Sequence, residues 1–160
     1  MDIKVGDRVP NGTFTVMTAE GPKPKTTDEL FKGKKVVLFA VPGAFTPTCS
    51  VKHMPSFVEN ADALKAKGVD TIACIAVNDA FVMAAWGKEC GIDGKITMLA
   101  DGSGAFAKAI GLELDLAARG MGIRSQRYAL IAQDGKVTHL GVEAPGGFEV
   151  SKAEAILAHL

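Results

Sequence analysis

One cysteine in this chain sits where its sulfur could act as a nucleophile. In the run Pro42-Gly43-Ala44-Phe45-Thr46-Pro47-Thr48-Cys49, Thr46 is a good N-cap. Pro47 then falls at the first helical position, where a missing N–H costs nothing. Thr48 and Cys49 become the second and third helical residues. Backbone N–H groups and the positive end of the helix dipole face a sulfur so placed, an environment that favours thiolate over thiol. Thr46 carries a hydroxyl one turn before the sulfur, able to donate toward a bound substrate oxygen, as can the N–H of Cys49. His53 lies one turn beyond Cys49 on the same side. It offers either a Cys–His pair or a structural hydrogen bond, the second being the preferred reading.

Ionisation alone does not make a thiol fast. An ordinary cysteine is about 3% thiolate at neutral pH, and a pKa of roughly 6 would raise that about thirtyfold. Nucleophilicity falls with basicity, so about tenfold of that gain is lost again. Groups that stabilise charge in the transition state must supply the rest. The other two cysteines are weaker candidates. Cys74 lies mid-run in Thr71-Ile72-Ala73-Cys74-Ile75-Ala76-Val77 and reads as a small hydrophobe. Cys90, before Gly91, reads as a partly exposed bystander at a helix end. Three cysteines without zinc-ligand spacing fit neither a disulfide framework nor a structural metal site.

The elements that must position these groups follow from periodicity. The apolar run over residues 36–41 predicts a buried strand leading into the Cys49 turn. Val51, Met54, Val58, Ala61 and Leu64 repeat at helical spacing, with Gly68 closing the helix. Pro55 removes the bond to the Val51 carbonyl and predicts a kink. Residues 71–77 predict a second buried strand, and Asn78-Asp79 a cap for a helix on which Phe81 and Trp86 share a face. A short strand over 96–99 and a helix over 103–110 follow. Residues 128–132 and 137–140 predict a hairpin about Asp134-Gly135, and Ser151 caps a last helix carrying Ala155, Ile156 and Leu157. Near the start, Gly21-Pro22-Lys23-Pro24-Lys25 reads as a turn between hairpin-like segments. Strands alternating with helices, then an antiparallel hairpin, indicate an α/β protein with a central mixed sheet and helices on both faces. One domain over residues 1–160 is expected.

Composition narrows the partners. Among 160 residues, 48% are apolar, and 18 basic side chains balance 18 acidic ones. Zero formal charge argues against nucleic acid or anionic membrane as an obligate partner and suits a small neutral substrate. No apolar run approaches a membrane span. The segment Met1-Asp2-Ile3-Lys4-Val5-Gly6-Asp7 has neither a signal-peptide core nor an Arg-rich transit pattern, so a cytoplasmic location is expected.

Pro42, Thr46 and Cys49 fit a Pro-x-x-x-Thr-x-x-Cys pattern, and the string PGAFTPTCS is followed by His53 and Pro55. In these residues the chain resembles peroxiredoxins of the atypical type II, or type 5, branch. The resemblance continues through Val77-Asn78-Asp79, Ala85-Trp86-Gly87, Ala100-Asp101-Gly102-Ser103 and residues 122–128, covering nearly the whole chain. It implies a thioredoxin-like fold and a thiol peroxidase that works without metal, haem or flavin. Hydrogen peroxide and alkyl hydroperoxides would be reduced as Cys49 becomes a sulfenic acid. Arg127 matches the family's active-site arginine, Arg124 would support it, and Pro42 would shield the sulfur from water. The resemblance further implies regeneration by an external thiol, glutathione with glutaredoxin first and thioredoxin second. It also implies a homodimer, with its contact expected at the rim around Phe45 and Trp86.

Plant-like members carry a second cysteine where Cys74 stands, which makes Cys74 a candidate resolving thiol; reaching Cys49 would require unfolding the first helical turn. The C-terminal resolving cysteine of human-like members has no counterpart in residues 146–151. Two rivals belong to other classes. A thiol–disulfide oxidoreductase is disfavoured because residues 50–52 supply no second cysteine of a Cys-x-x-Cys pair. A redox sensor or holdase switched by Cys49 oxidation is the remaining alternative.

Overall fold

A computed structural model describes residues 2–160. The first half of the chain forms β1 (Thr13–Thr18), β2 (Gly21–Thr26), α1 (Thr27–Phe31), β3 (Lys35–Ala40), a π-helical turn (Cys49–His53), α2 (Met54–Ala66) and β4 (Thr71–Ala76). Next come α3 (Ala80–Glu89), β5 (Thr97–Ala100), α4 (Ala105–Ala109), β6 (Glu113–Leu116), a 3₁₀ turn (Ala117–Arg119) and β7 (Gly122–Ser125). The chain ends with β8 (Tyr128–Gln133), β9 (Lys136–Val142) and α5 (Ala153–Leu157). Seven strands form one sheet in the order β2-β1-β5-β4-β3-β8-β9, and β6 pairs with β7 apart from it. Strands β3, β4 and β5 run parallel, while the outer pairings are antiparallel. This is the mixed sheet expected from the sequence.

The central strands are apolar throughout because both sheet faces are covered. Along β3, Val37 and Phe39 face α2, α3 and α5, in a cluster with Phe57, Leu64, Met83, Trp86 and Ile156. Val36, Leu38 and Ala40 face the opposite side, against Phe14, Leu30, Phe31 and Phe106 from β1, α1 and α4. Period-two alternation therefore decides which cysteines can meet. Cys74 on β4 and Cys49 belong to the same cluster.

Several local expectations give way to tertiary context. Residues 21–25 form β2 rather than a turn, since Pro22 and Pro24 lie on the edge strand, where no ladder N–H is missed. Phe81 and Trp86 do not share a face: five positions on a helix is about 140° of rotation. Phe81 is 66% exposed and Trp86 fully buried, so Trp86 is not part of an exposed rim. The hairpin β6–β7 was not apparent from sequence, because its strands are only four residues each, largely exposed or half-buried, with no long apolar run.

The largest departure is at Pro55. In place of a kink, the chain opens into the π-turn, with the Met54 N–H donating to the Cys49 carbonyl. Pro55 has no N–H for Val51, and its ring would crowd that carbonyl; a wider turn relieves both. The extra residue shifts the helical register. Cys49 takes the buried position in line with Met54, Phe57 and Ala61, and Val51 is turned out, 72% exposed.

Gly141 on β9 is required by a close approach. A Cβ there would stand 2.5 Å from the Val150 carbonyl oxygen and 3.2 Å from its Cβ, and backbone cannot yield as a side chain can. Gly141→Ala should therefore destabilise the protein by about 1–3 kcal/mol. A lower urea midpoint at unchanged slope is the expected result, and an unchanged midpoint would show that the loop about Val150 yields freely.

Candidate active site

The loop after β3 is held from both sides. The Thr46 N–H and hydroxyl both donate to the Gly43 carbonyl, at 3.4 and 2.7 Å, closing a tight turn. Phe45 within it has φ 65°, a conformation that bulky residues rarely adopt. The Ala44 N–H anchors the turn by donating to Asn78 Oδ1 at 2.9 Å. The helix then starts at Pro47, and the Ser50 N–H donates to the Thr46 carbonyl at 2.9 Å. The Thr46 hydroxyl departs from expectation. Its proton is given to Gly43, so toward a ligand it offers lone pairs rather than a donor.

Arg127, immediately before β8, reaches the sulfur. Its Nη2 donates to Cys49 Sγ at 3.1 Å, and its Nη1 lies 2.8 Å from His53 Nδ1. A guanidinium has no acceptor, so Nδ1 must accept and the imidazole proton must sit on Nε2. Nε2 in turn donates to the Ser151 carbonyl at 2.9 Å. His53 is fully buried among the rings of Phe39, Phe57 and Phe148. Burial first, and the Arg127 charge second, push its pKa down to about 3. A histidine so neutral at physiological pH fixes a partner rather than carrying charge.

Two members of this network gave no signal in the sequence. Ser151 reads there as a helix cap, yet Lys152 holds the N-cap position of α5, and the Ser151 hydroxyl donates to Glu143 Oε2 at 2.6 Å. Glu143 itself sits beyond β9 with no motif around it. Burial pushes its carboxyl up, and hydrogen bonds from Ser151, Glu149 and Val150 outweigh that and hold it below the usual range. Arg124, expected as a supporting residue, donates from Nε to the Met121 carbonyl at 2.9 Å and from Nη1 to that of Val77 at 3.2 Å.

A groove of about 540 Å³ opens beside this cluster. Pro42, Thr46, Pro47 and Arg127 line one side of it, and Leu114, Leu116 and Met121 of the β6–β7 hairpin line another. The Cys49 sulfur is fully buried, and Arg127 touches both it and the groove. On the far side of the π-turn, Trp86 Nε1 donates to Ser50 Oγ at 2.9 Å. Cys74 is fully buried in β4, and that burial pushes its thiol well up. Cys90 is half-buried at the C-terminus of α3, where burial and then Glu89 raise its pKa.

Comparisons with known proteins bear on this geometry. The sequence pattern described as Redoxin matches residues 4–157. Peroxiredoxin-2B of Arabidopsis thaliana is 51% identical over 159 residues, covering 99% of this chain and 98% of that protein. Reduced Prx3 of Vibrio vulnificus, solved in complex with hydrogen peroxide, is 58% identical with a TM-score of 0.95, over 98% of each chain. Peroxiredoxin 5 of Alvinella pompejana is 40% identical with a TM-score of 0.86, over 98% of this chain and 96% of that one. The fold is thus thioredoxin-like, and the activity is that of a thiol peroxidase. The chain belongs to the peroxiredoxin family, in its type II branch.

Proposed function

We propose that Cys49 is the peroxidatic nucleophile, that Arg127 stabilises the transferring charge, and that Pro42 and Thr46 shape the peroxide site. The observation that carries this reading is the 3.1 Å contact from Arg127 Nη2 to Cys49 Sγ at the wall of the groove. The thiolate attacks one peroxide oxygen and the O–O bond breaks. The departing hydroxide or alkoxide takes up a proton and leaves as water or alcohol, and Cys49 keeps the other oxygen as a sulfenic acid. Negative charge moves from sulfur to the departing oxygen during this step. Arg127 lines the groove, and its Nη2 carries a second N–H besides the one given to the sulfur, so the guanidinium can hold the departing oxygen as charge reaches it. Thr46 Oγ1, its proton committed to Gly43, accepts from the peroxide O–H and orients it. The apolar hairpin wall of Leu114, Leu116 and Met121 suits alkyl hydroperoxides as well as hydrogen peroxide.

Regeneration falls to an external thiol, glutathione with glutaredoxin first and thioredoxin second. One thiol condenses with the sulfenic acid, releasing water and leaving a mixed disulfide; a second thiol attacks that disulfide and frees Cys49. The buried mid-strand position of Cys74 supports this over an internal disulfide. Association as a homodimer is supported by Phe45 and Phe81, 53% and 66% exposed. A cytoplasmic location is part of the same proposal. Among the described residues no helix is long and apolar enough to cross a membrane.

Trp86 is the single tryptophan and bonds to the residue after Cys49, so its fluorescence can report single-turnover oxidation without any reductant. Cys49→Ser should abolish the oxidation phase, and Cys90→Ser should leave it unchanged. After one equivalent of peroxide, mass spectrometry should find a trappable sulfenic acid on Cys49. A dominant Cys49–Cys74 disulfide, with turnover lost in Cys74→Ser, would overturn external resolution.

Arg127→Gln should slow oxidation by about 10²–10³-fold, as loss of an oxyanion donor does elsewhere. The deficit should persist at a pH where the thiol is fully ionised in both proteins. Its disappearance there would restrict Arg127 to promoting ionisation.

His53 also sets an acid limit on stability. Its folded pKa of about 3 lies below its ordinary 6.5, so below pH 6.5 the unfolded chain binds a proton that the folded chain refuses. Stability should be flat from about pH 7 to 8 and fall below pH 6.5 by up to ~1.4 kcal/mol per pH unit. His139, lowered by burial and by the stacked His159, acts in the same direction, and Glu143 adds a further loss below its ordinary 4.5. The buried Cys74 and half-buried Cys90 thiols, raised above their ordinary 9.0, bring a separate loss at alkaline pH. Urea unfolding between pH 7 and 4.5 reads this slope. His53→Asn should reduce it, and an unreduced slope would assign it to other groups.

A further inference from the structure

We propose that Glu143 is a positioning residue for Arg127, acting through Ser151 and His53; the proposal rests on the role given above to Arg127. Arg127 can hold its fork only while His53 Nδ1 accepts from it, at 2.8 Å. That requires the imidazole proton on Nε2, where the acceptor is the Ser151 carbonyl at 2.9 Å. Were this carbonyl to move, a proton on Nδ1 would oppose the guanidinium N–H and push the fork off the sulfur. The placement of one backbone carbonyl therefore decides the orientation of the arginine.

That carbonyl lies in residues 143–152, which form no helix or strand. Glu143 gathers the segment. Its Oε1 accepts from the Glu149 N–H at 3.0 Å, and its Oε2 accepts from Glu149 N–H at 2.9 Å, Val150 N–H at 3.0 Å, Ser151 N–H at 2.8 Å and Ser151 Oγ at 2.6 Å. Three successive amides turned toward one carboxylate make an anion nest, and Glu143 as a residue is only 9% exposed. No Lys or Arg pairs with Glu143 among the described residues. Its backbone meets the same arginine from the other end: the Glu143 N–H donates to the Arg127 carbonyl at 2.9 Å. Phe148, carried by the gathered segment, packs edge-on to His53 at 5.1 Å. One residue thus ties the main chain of Arg127 to the loop that fixes the partner of its side chain.

Position and charge can be separated by substitution. Glu143→Gln keeps an oxygen at the site that carries four of the five bonds, without the charge. Glu143→Asp keeps the charge but withdraws it by one methylene. Single-turnover oxidation by hydrogen peroxide, read from Trp86, should slow by about tenfold or more in Glu143→Asp and by less than about threefold in Glu143→Gln. In an Arg127→Gln background neither change should slow it further, because the group they position is gone. Nitrogen-15 NMR should find His53 as the Nε2–H tautomer in wild type and Glu143→Gln, and as a mixture in Glu143→Asp.

A Glu143→Asp protein as fast as wild type would overturn the proposal. So would a Glu143→Gln protein as slow as Glu143→Asp, or equal slowing in both Arg127 backgrounds, which would mark a loop that only supports folding. A slow Arg127→Gln beside a fast Glu143→Asp removes the Glu143 step alone, whereas an undiminished Arg127→Gln removes the role of Arg127 and this proposal with it. Should Glu143→Asp fail to fold, Ser151→Ala deletes the 2.6 Å bond alone. About threefold slowing is then expected, again absent without Arg127, and an unchanged rate overturns the proposal.

Discussion

A guanidinium carries five donors and no acceptor, and this asymmetry organises the centre of the molecule. Arg127 satisfies it with a sulfur on one side and an imidazole nitrogen on the other, at 3.1 and 2.8 Å. Both acceptors must be delivered to one spot by segments distant in the chain. Strand pairing delivers the arginine: β8 lies antiparallel to β3 with Tyr128 opposite Ala40, so Arg127 emerges beside the start of the cysteine loop. A one-residue slip would turn every side chain of β8 to the wrong face. Both faces are apolar, so the slip is opposed by the tight hairpin to β9 and by unlike side-chain sizes, Tyr128 and Leu130 packing on one face and Ala129 and Ile131 on the other. Active-site geometry and hydrophobic burial are thus one constraint.

The π-turn provides the other half of the meeting. An ordinary α-helical turn would bury Val51 and carry Cys49 away from the face shared by Met54 and Phe57. The wider turn imposed before Pro55 buries Cys49 and His53 together. Burial excludes water from around the sulfur, and electrostatic interactions strengthen as the local dielectric falls. The turn is pinned at its outer side by the bond between Trp86 and Ser50. A helical defect, costly in isolation, is held in place by packing on both sides.

Cys74 illustrates how completely context separates two like residues. It shares a sheet face with Cys49, and it pairs in register with Phe39 on the neighbouring strand. Among the described residues no side chain donates to its sulfur, and burial raises its thiol well above the ordinary value. Cys49 lies at a helix start with a guanidinium against it. The difference between an inert thiol and a candidate nucleophile is the set of polar groups within hydrogen-bond reach, not the depth of burial.

By itself, the sequence determined what neighbouring residues can settle. Thr46-Pro47 sets where the helix begins, Asp134-Gly135 turns the hairpin, and the unbroken apolar runs of β3, β4 and β8 call for strands covered on both faces. The start of a helix just before Cys49 was also legible in its neighbours, whereas Arg127 was singled out by the family resemblance and only the folded chain brings it to the sulfur. Tertiary structure decided the rest. It sent the Thr46 proton to Gly43, buried Trp86 while exposing Phe81, and put Pro22 and Pro24 on an edge strand. It also recruited Glu143 and Ser151, whose link to the sulfur runs through His53, 98 residues from Ser151, and Arg127, 78 from Cys49. Local propensity cannot register such partners. A tautomer or a guanidinium orientation is set by whichever acceptor the folded chain brings within about 3 Å, and only the packed sheet and its loops determine which that is.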